Sequence, residues 1–89
     1  MPPKWLTIET LIKLVKRMRE RWPDAEVERI VQKRSKQILY IRIGGKMVKL
    51  IVYRDGRVRA FGEPKGVALA LRNIAERVLG VGEHRAPEG

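Results

Sequence analysis

Residues Gln37–Phe61 read QILYIRI-GG-KMVKLIVYR-DG-RVRAF, and this stretch decides the fold. Two runs rich in Ile, Val, Leu and Tyr flank Gly44-Gly45, and Asp55-Gly56 separates the second run from a third. Gly-Gly and Asp-Gly are two-residue turn signals that use positive φ, so the stretch is expected to be a three-strand antiparallel meander. Two-residue turns also fix the register. They set Ile43 opposite Lys46 and Arg54 opposite Arg57.

Working upstream, residues 26–34 read two ways. Asp24 can cap a helix carrying Val27, Ile30, Val31 and Arg34. Alternatively the segment forms a strand that pairs with Gln37–Ile43 through a turn at Ser35-Lys36. The strand is favoured, because Val, Ile and Val with alternating charges suit a pleated surface. Before it, Ile8, Leu11, Ile12, Val15, Met18 and Trp22 fall at helical spacing, with Lys13, Lys16, Arg17, Glu20 and Arg21 outside that stripe. Thr7 is a plausible N-cap, and Pro23 stops the helix. Downstream, Pro64 suits the first turn of a second helix. Val67, Leu71, Ile74 and Val78, flanked by Ala68, Ala70 and Ala75, form its buried face, and Gly80 closes it. The expected architecture is α+β, a four-stranded antiparallel meander sheet between an N-terminal and a C-terminal helix (αββββα). One domain over residues 1–89 is expected, ordered from about 5 to 80, with Val81–Gly89 as a flexible tail.

The register divides the sheet into two faces. Leu39, Ile41, Ile43, Val48, Leu50, Val52 and Phe61 form a floor for the helices, with Lys46, Arg54, Arg57 and Arg59 at its ends. The other face carries Ile38, Tyr40, Arg42, Met47, Lys49, Ile51, Tyr53, Val58 and Ala60, joined by Val27, Arg29, Val31 and Lys33. It is too apolar to be left in water and too basic to be core. A dimer interface, a platform for unpaired bases, and a cleft between two subunits are three ways to cover it.

Charge sharpens the choice. Of the ten net positive charges, nine fall between Arg29 and Arg59, where ten bases meet the single acid Asp55. Such a one-signed window on an ordered surface points to a polyanion, and nucleic acid leads. Arg29, Lys33, Lys36, Arg42, Lys46, Lys49, Arg54, Arg57 and Arg59 are the expected phosphate contacts, and Tyr40 and Tyr53 the expected stacking residues. Arg outnumbers Lys, which suits planar, forked contacts to phosphate and base. Helix one lacks a clear helix-turn-helix partner, so unpaired RNA or single-stranded DNA fits better than duplex, with little sequence preference. The rival is a protein-interaction or dimerisation module whose basic surface has no nucleic-acid role.

Enzyme signatures are missing from the sequence. There is no cysteine, the lone serine is Ser35 in a turn, and the lone histidine, His84, sits in the expected tail. Asp24, Glu26 and Glu28 are close in sequence but do not make a metal-dependent nuclease set. No glycine loop of the phosphate-cradling kind is present. A non-enzyme without cofactor or metal is expected. Trp5 and Trp22 read as core plugs at the ends of helix one, and Phe61 reads as core.

Eighty-nine residues bury only about 60% of their unfolded surface, which favours sharing an apolar face with a second subunit. One Asn, two Gln, two Thr and one Ser against abundant Arg, Lys and Glu resemble a hyperthermophile's composition. No stretch approaches the ~18 apolar residues of a membrane span, and a soluble, cytoplasmic protein is expected. The basic outer face of helix one leaves an anionic membrane surface as a lesser alternative.

In element order, basic sheet and composition, residues 5–80 resemble the ThermoDBP-related proteins of archaea. That resemblance implies a small α+β domain binding single-stranded nucleic acid, RNA included, through a cleft with an apolar floor and basic flanks. It also implies a homodimer or larger homo-oligomer. Longer members carry a C-terminal coiled coil for dimerisation. These 89 residues hold no such heptads, so a dimer here is expected to use another surface.

Overall fold

The computed structural model describes residues 5–80. The tail reading of Val81–Gly89, with His84, lies outside them. The elements are α1 (Ile8–Arg21), β1 (Glu26–Gln32), β2 (Lys36–Ile43), β3 (Lys46–Tyr53), β4 (Val58–Gly62) and α2 (Lys65–Leu79). The strands form one antiparallel sheet in the order β1-β2-β3-β4, which is the expected αββββα meander. Residues 26–32 are strand, so the helical alternative falls. Among the described residues, no helix is long and apolar enough to cross a membrane.

Local chemistry explains the ends of α1. The Thr7 hydroxyl accepts from the Thr10 N–H (3.2 Å) and the Thr10 hydroxyl accepts from the Thr7 N–H (2.6 Å), a reciprocal cap. Pro23 follows the last turn. The buried line of this helix differs from the expected one. Leu14 and Met18 are fully buried, whereas Ile8 (80% exposed) and Ile12 (63%) face outward. The sheet draws the helix down on its Leu11–Leu14–Met18 side, and the two isoleucines are left on the flank. In α2 the buried residues are Ala68, Leu71 and Ala75, with Val67, Ile74 and Val78 packed around them. Gly80 sits at φ +81 and donates to the carbonyls of Arg77 and Glu76.

The two turns are not alike. Gly44 (φ +59) and Gly45 (φ +78) make the expected two-residue connection, and Ile43 pairs with Lys46. At the next turn Tyr53 N–H donates to the Arg57 carbonyl (2.8 Å), and Gly56 N–H donates to the Tyr53 carbonyl (2.9 Å). Gly56 has φ +96. The loop is therefore three residues, Arg54-Asp55-Gly56, with glycine as the left-handed bulge residue. Val52 pairs with Val58 and Leu50 with Ala60, so the expected pairing of Arg54 with Arg57 does not occur. A one-residue slip exchanges the faces of the whole strand. Val58 and Ala60 join the core, contrary to the expectation that they lie on the open face. Phe61 leaves the core and is 48% exposed.

A second irregularity corrects β1. Its register with β2 jumps between Val27 and Arg29, leaving Glu28 as the extra residue. Val27 consequently pairs with Ile41 and packs on the core, although it was expected on the open face. Arg29 and Val31 stay where they were expected, opposite Tyr40 and Ile38. The core is thus sealed by both helices against one face of the sheet: Leu39, Ile41, Ile43, Val48, Leu50, Val52 and Val58 below, Leu14, Met18, Ala68, Leu71 and Ala75 above.

Candidate nucleic-acid interface

The face away from the helices is built by the strand pairings, row by row. Lys36 stands opposite Tyr53, and the hydrogen bonds that close the two neighbouring turns add Lys33 and Arg57 to this first row. The second row is Val31, Ile38, Ile51 and Arg59, and the third is Arg29, Tyr40, Lys49 and Phe61. In the fourth row Glu26 faces Arg42, which faces Met47. Ile51 is buried here and Ile38 half-buried, so the centre is aliphatic. Aromatic rings and cations surround that centre.

Cations and rings also touch each other. The Lys49 ammonium lies 5.8 Å from the centre of the Phe61 ring, and the Arg57 guanidinium 5.2 Å from that of Tyr53. Tyr40 and Phe61 share a row two strands apart, roughly 10 Å, with Lys49 between them. Among the described residues, Arg42 is paired with Glu28 and Arg57 with Asp55 (2.9 Å). Arg29, Lys33, Lys36, Lys49 and Arg59 have no acidic partner within that set. The Asp55 carboxyl is held below its ordinary range chiefly by the Arg57 backbone N–H that it accepts (3.0 Å), with the Arg57 charge adding to the effect. The folded form therefore favours ionised Asp55. The loop contact is intact above the ordinary carboxylate pKa of 3.8 and is lost as pH falls through the lower folded value.

Nine of the eleven expected site residues come together on this face: Arg29, Lys33, Lys36, Tyr40, Arg42, Lys49, Tyr53, Arg57 and Arg59. Two do not. Lys46 pairs with Ile43, whose side chain is core, and so projects on the helix side at the end of the hairpin. Arg54 is in the three-residue loop, where its guanidinium lies 5.7 Å from the Trp5 ring and donates to the Arg34 carbonyl. Phe61 is the residue that the turn reading missed. The signal was present in Arg57-Val58-Arg59-Ala60-Phe61, where the two small apolar residues alternate with two guanidiniums.

The acids near the first strand have structural duties. Asp24 accepts from the Gly44 N–H (2.9 Å), tying the start of β1 to the β2–β3 turn, and Glu28 holds Arg42. Among the described residues, no three of His, Cys, Asp or Glu stand together as a metal-ligand group. Compared with family models, with curated proteins and with solved structures, the chain matches none.

Proposed function

We propose that the open sheet face binds single-stranded nucleic acid, RNA or DNA, without sequence preference and without catalysis. The observation that carries this reading is the slip in β4. By placing Arg57, Arg59 and Phe61 beside Tyr40, Lys49 and Tyr53, it gathers three rings and seven cations around one aliphatic centre. Unpaired bases stack on such rings for about 1–3 kcal/mol each, while neighbouring cations neutralise phosphates. Asn and Gln, which read base edges, are scarce in the chain, in keeping with backbone and stacking contacts. The proposal extends to kinship with the ThermoDBP-related proteins, supported by the αββββα order and the basic sheet.

Filter binding of poly-U, poly-dT and duplex DNA tests the reading. The single-stranded polymers are expected to bind more tightly than the duplex. Phe61→Ala should weaken them by about 1–3 kcal/mol. Changing Arg29 and Arg59 together to Ala should flatten the salt dependence by roughly 0.7 per lost phosphate contact. Lys46→Ala, off the face, should change neither quantity. Equal losses from Lys46→Ala and from the Arg29/Arg59 pair would remove the open face as the site.

A further inference from the structure

On the far side of β1 lies an apolar strip that neither the core nor the open face uses. Ile8 is 80% exposed, Ile12 63% and Ile30 43%. Ile8 and Ile30 line one shallow groove together with Leu6 and Leu11. Ile30 belongs to the sheet's outermost strand, whose free edge is unpaired among the described residues. Unpaired edges and contiguous exposed apolar side chains are the two surface features that most often mark association.

We propose that this edge docks a second copy of the chain, β1 against β1 across a two-fold axis at Ile30. Charge selects the occupant. β2 carries Lys36 and Arg42, β3 carries Lys46 and Lys49, and β4 carries Arg59, and none of these three strands contains an acid. β1 alone contains acids, Glu26 and Glu28 beside Arg29, and Glu28 also offsets Arg42 of the neighbouring strand. In a chain of net charge +10, a second copy meets least repulsion there. The segment also runs from acid to base, Glu26 and Glu28 leading to Lys33 and Arg34. An antiparallel copy sets the acidic end of each against the basic end of the other, the self-complementarity that a two-fold interface requires.

Backbone geometry fixes the register. Lys33 donates to the Lys36 carbonyl, and hydrogen-bonded positions alternate along an antiparallel pair. The N–H and C=O of Ile30 and Gln32 therefore point away from β2, into the free edge. With the axis at Ile30, that residue meets its own copy and Arg29 meets Val31. Beyond Arg29 the bulge at Glu28 interrupts the alternation, so the acidic end of each strand lies beside the basic end of the other without a residue-by-residue pairing. Moving the axis to Val31 would instead set Arg29 against Lys33. The result is an eight-stranded sheet with both open faces on one side. The dimer stands on its own evidence, and only the doubled length of the binding tract rests on the nucleic-acid reading.

Light scattering on the full chain at about 100 µM should report a dimer. Ile30→Glu and Ile12→Glu should give folded monomers by circular dichroism, while Leu69→Glu, at an exposed position on α2, should leave the dimer intact. Because the chain has no cysteine, Ile30→Cys provides a second reading: mild oxidation should cross-link it to a covalent dimer, and Leu69→Cys should not. Facing Cα atoms in a hydrogen-bonded pair lie about 5.5 Å apart, within disulfide reach. A monomeric wild type, a folded Ile30→Glu dimer, or failure of Ile30→Cys to cross-link overturns the proposal. A dimer that ignores poly-U would overturn the nucleic-acid reading alone.

Discussion

Gln37 is buried on the helix side of β2, and its amide is fully used. Its Oε1 accepts from the Leu6 N–H (2.8 Å), and its Nε2 donates to the Leu6 carbonyl (3.0 Å) and to Gln32 Oε1 (3.1 Å). One side chain thereby closes the backbone groups of the segment that leads into α1. Gln37→Leu would strand a buried N–H and a buried carbonyl. It should cost about 1–3 kcal/mol in urea unfolding, with Leu6 losing its amide-exchange protection. Gln37→Glu tests the same contact by pH, since an ionised carboxylate repels the Leu6 carbonyl. At the same scale, β4 shows how a local signal was legible yet overridden. Asp55-Gly56 pointed to a two-residue turn, whereas Val58 and Ala60 alternating with Arg57 and Arg59 pointed to the opposite facing. The energetics favour the second, because burying two guanidiniums without partners costs several kcal/mol and lengthening a loop by one residue costs little.

Elements, in contrast to their facing, were readable from pattern. Helical spacing gave α1 and α2, and the glycine turns gave the meander. β1 was the harder element, because its Val27 and Ile30 both lie on the helix side of the sheet, opposite Ile41 and Leu39, despite being three apart. Only the bulge at Glu28 reconciles them. A bulge of this kind has no compositional mark, so the open-face position expected for Val27 could not be corrected from sequence. The exposure of Ile8 and Ile12 was equally hidden. Their spacing matches a core stripe, and which side of a helix meets the sheet is decided by packing. Deleting Arg54 tests what holds β4 in place. The shortened loop becomes Asp-Gly between Tyr53 and Arg57, a favoured two-residue hairpin that keeps the same pairing. Contacts between Leu50 and Ala60 should persist in nuclear Overhauser spectra. Their loss would mean that the bulge, and not Val58 and Ala60 in the core, sets the facing.

For the molecule as a whole, helices on one side and cations concentrated on the other make a strongly polarised body. Ten net positive charges on 89 residues repel one another in the folded state. Thermal stability should therefore rise between about 10 and 150 mM sodium chloride, as the screening length falls from roughly 30 to 8 Å. A melting temperature that is flat or falling over that range would mean the cations are already compensated. Strand alternation has a separate result for engineering. In β2, Leu39, Ile41 and Ile43 hold the interior while Lys36, Ile38, Tyr40 and Arg42 supply the exterior, and the two sets do not overlap. Lys36, Tyr40 and Arg42 can be rewritten, even to carboxylates for a cationic target, while Ile38 stays to cover Ile51 and the packed interior that makes the chain fold is left untouched.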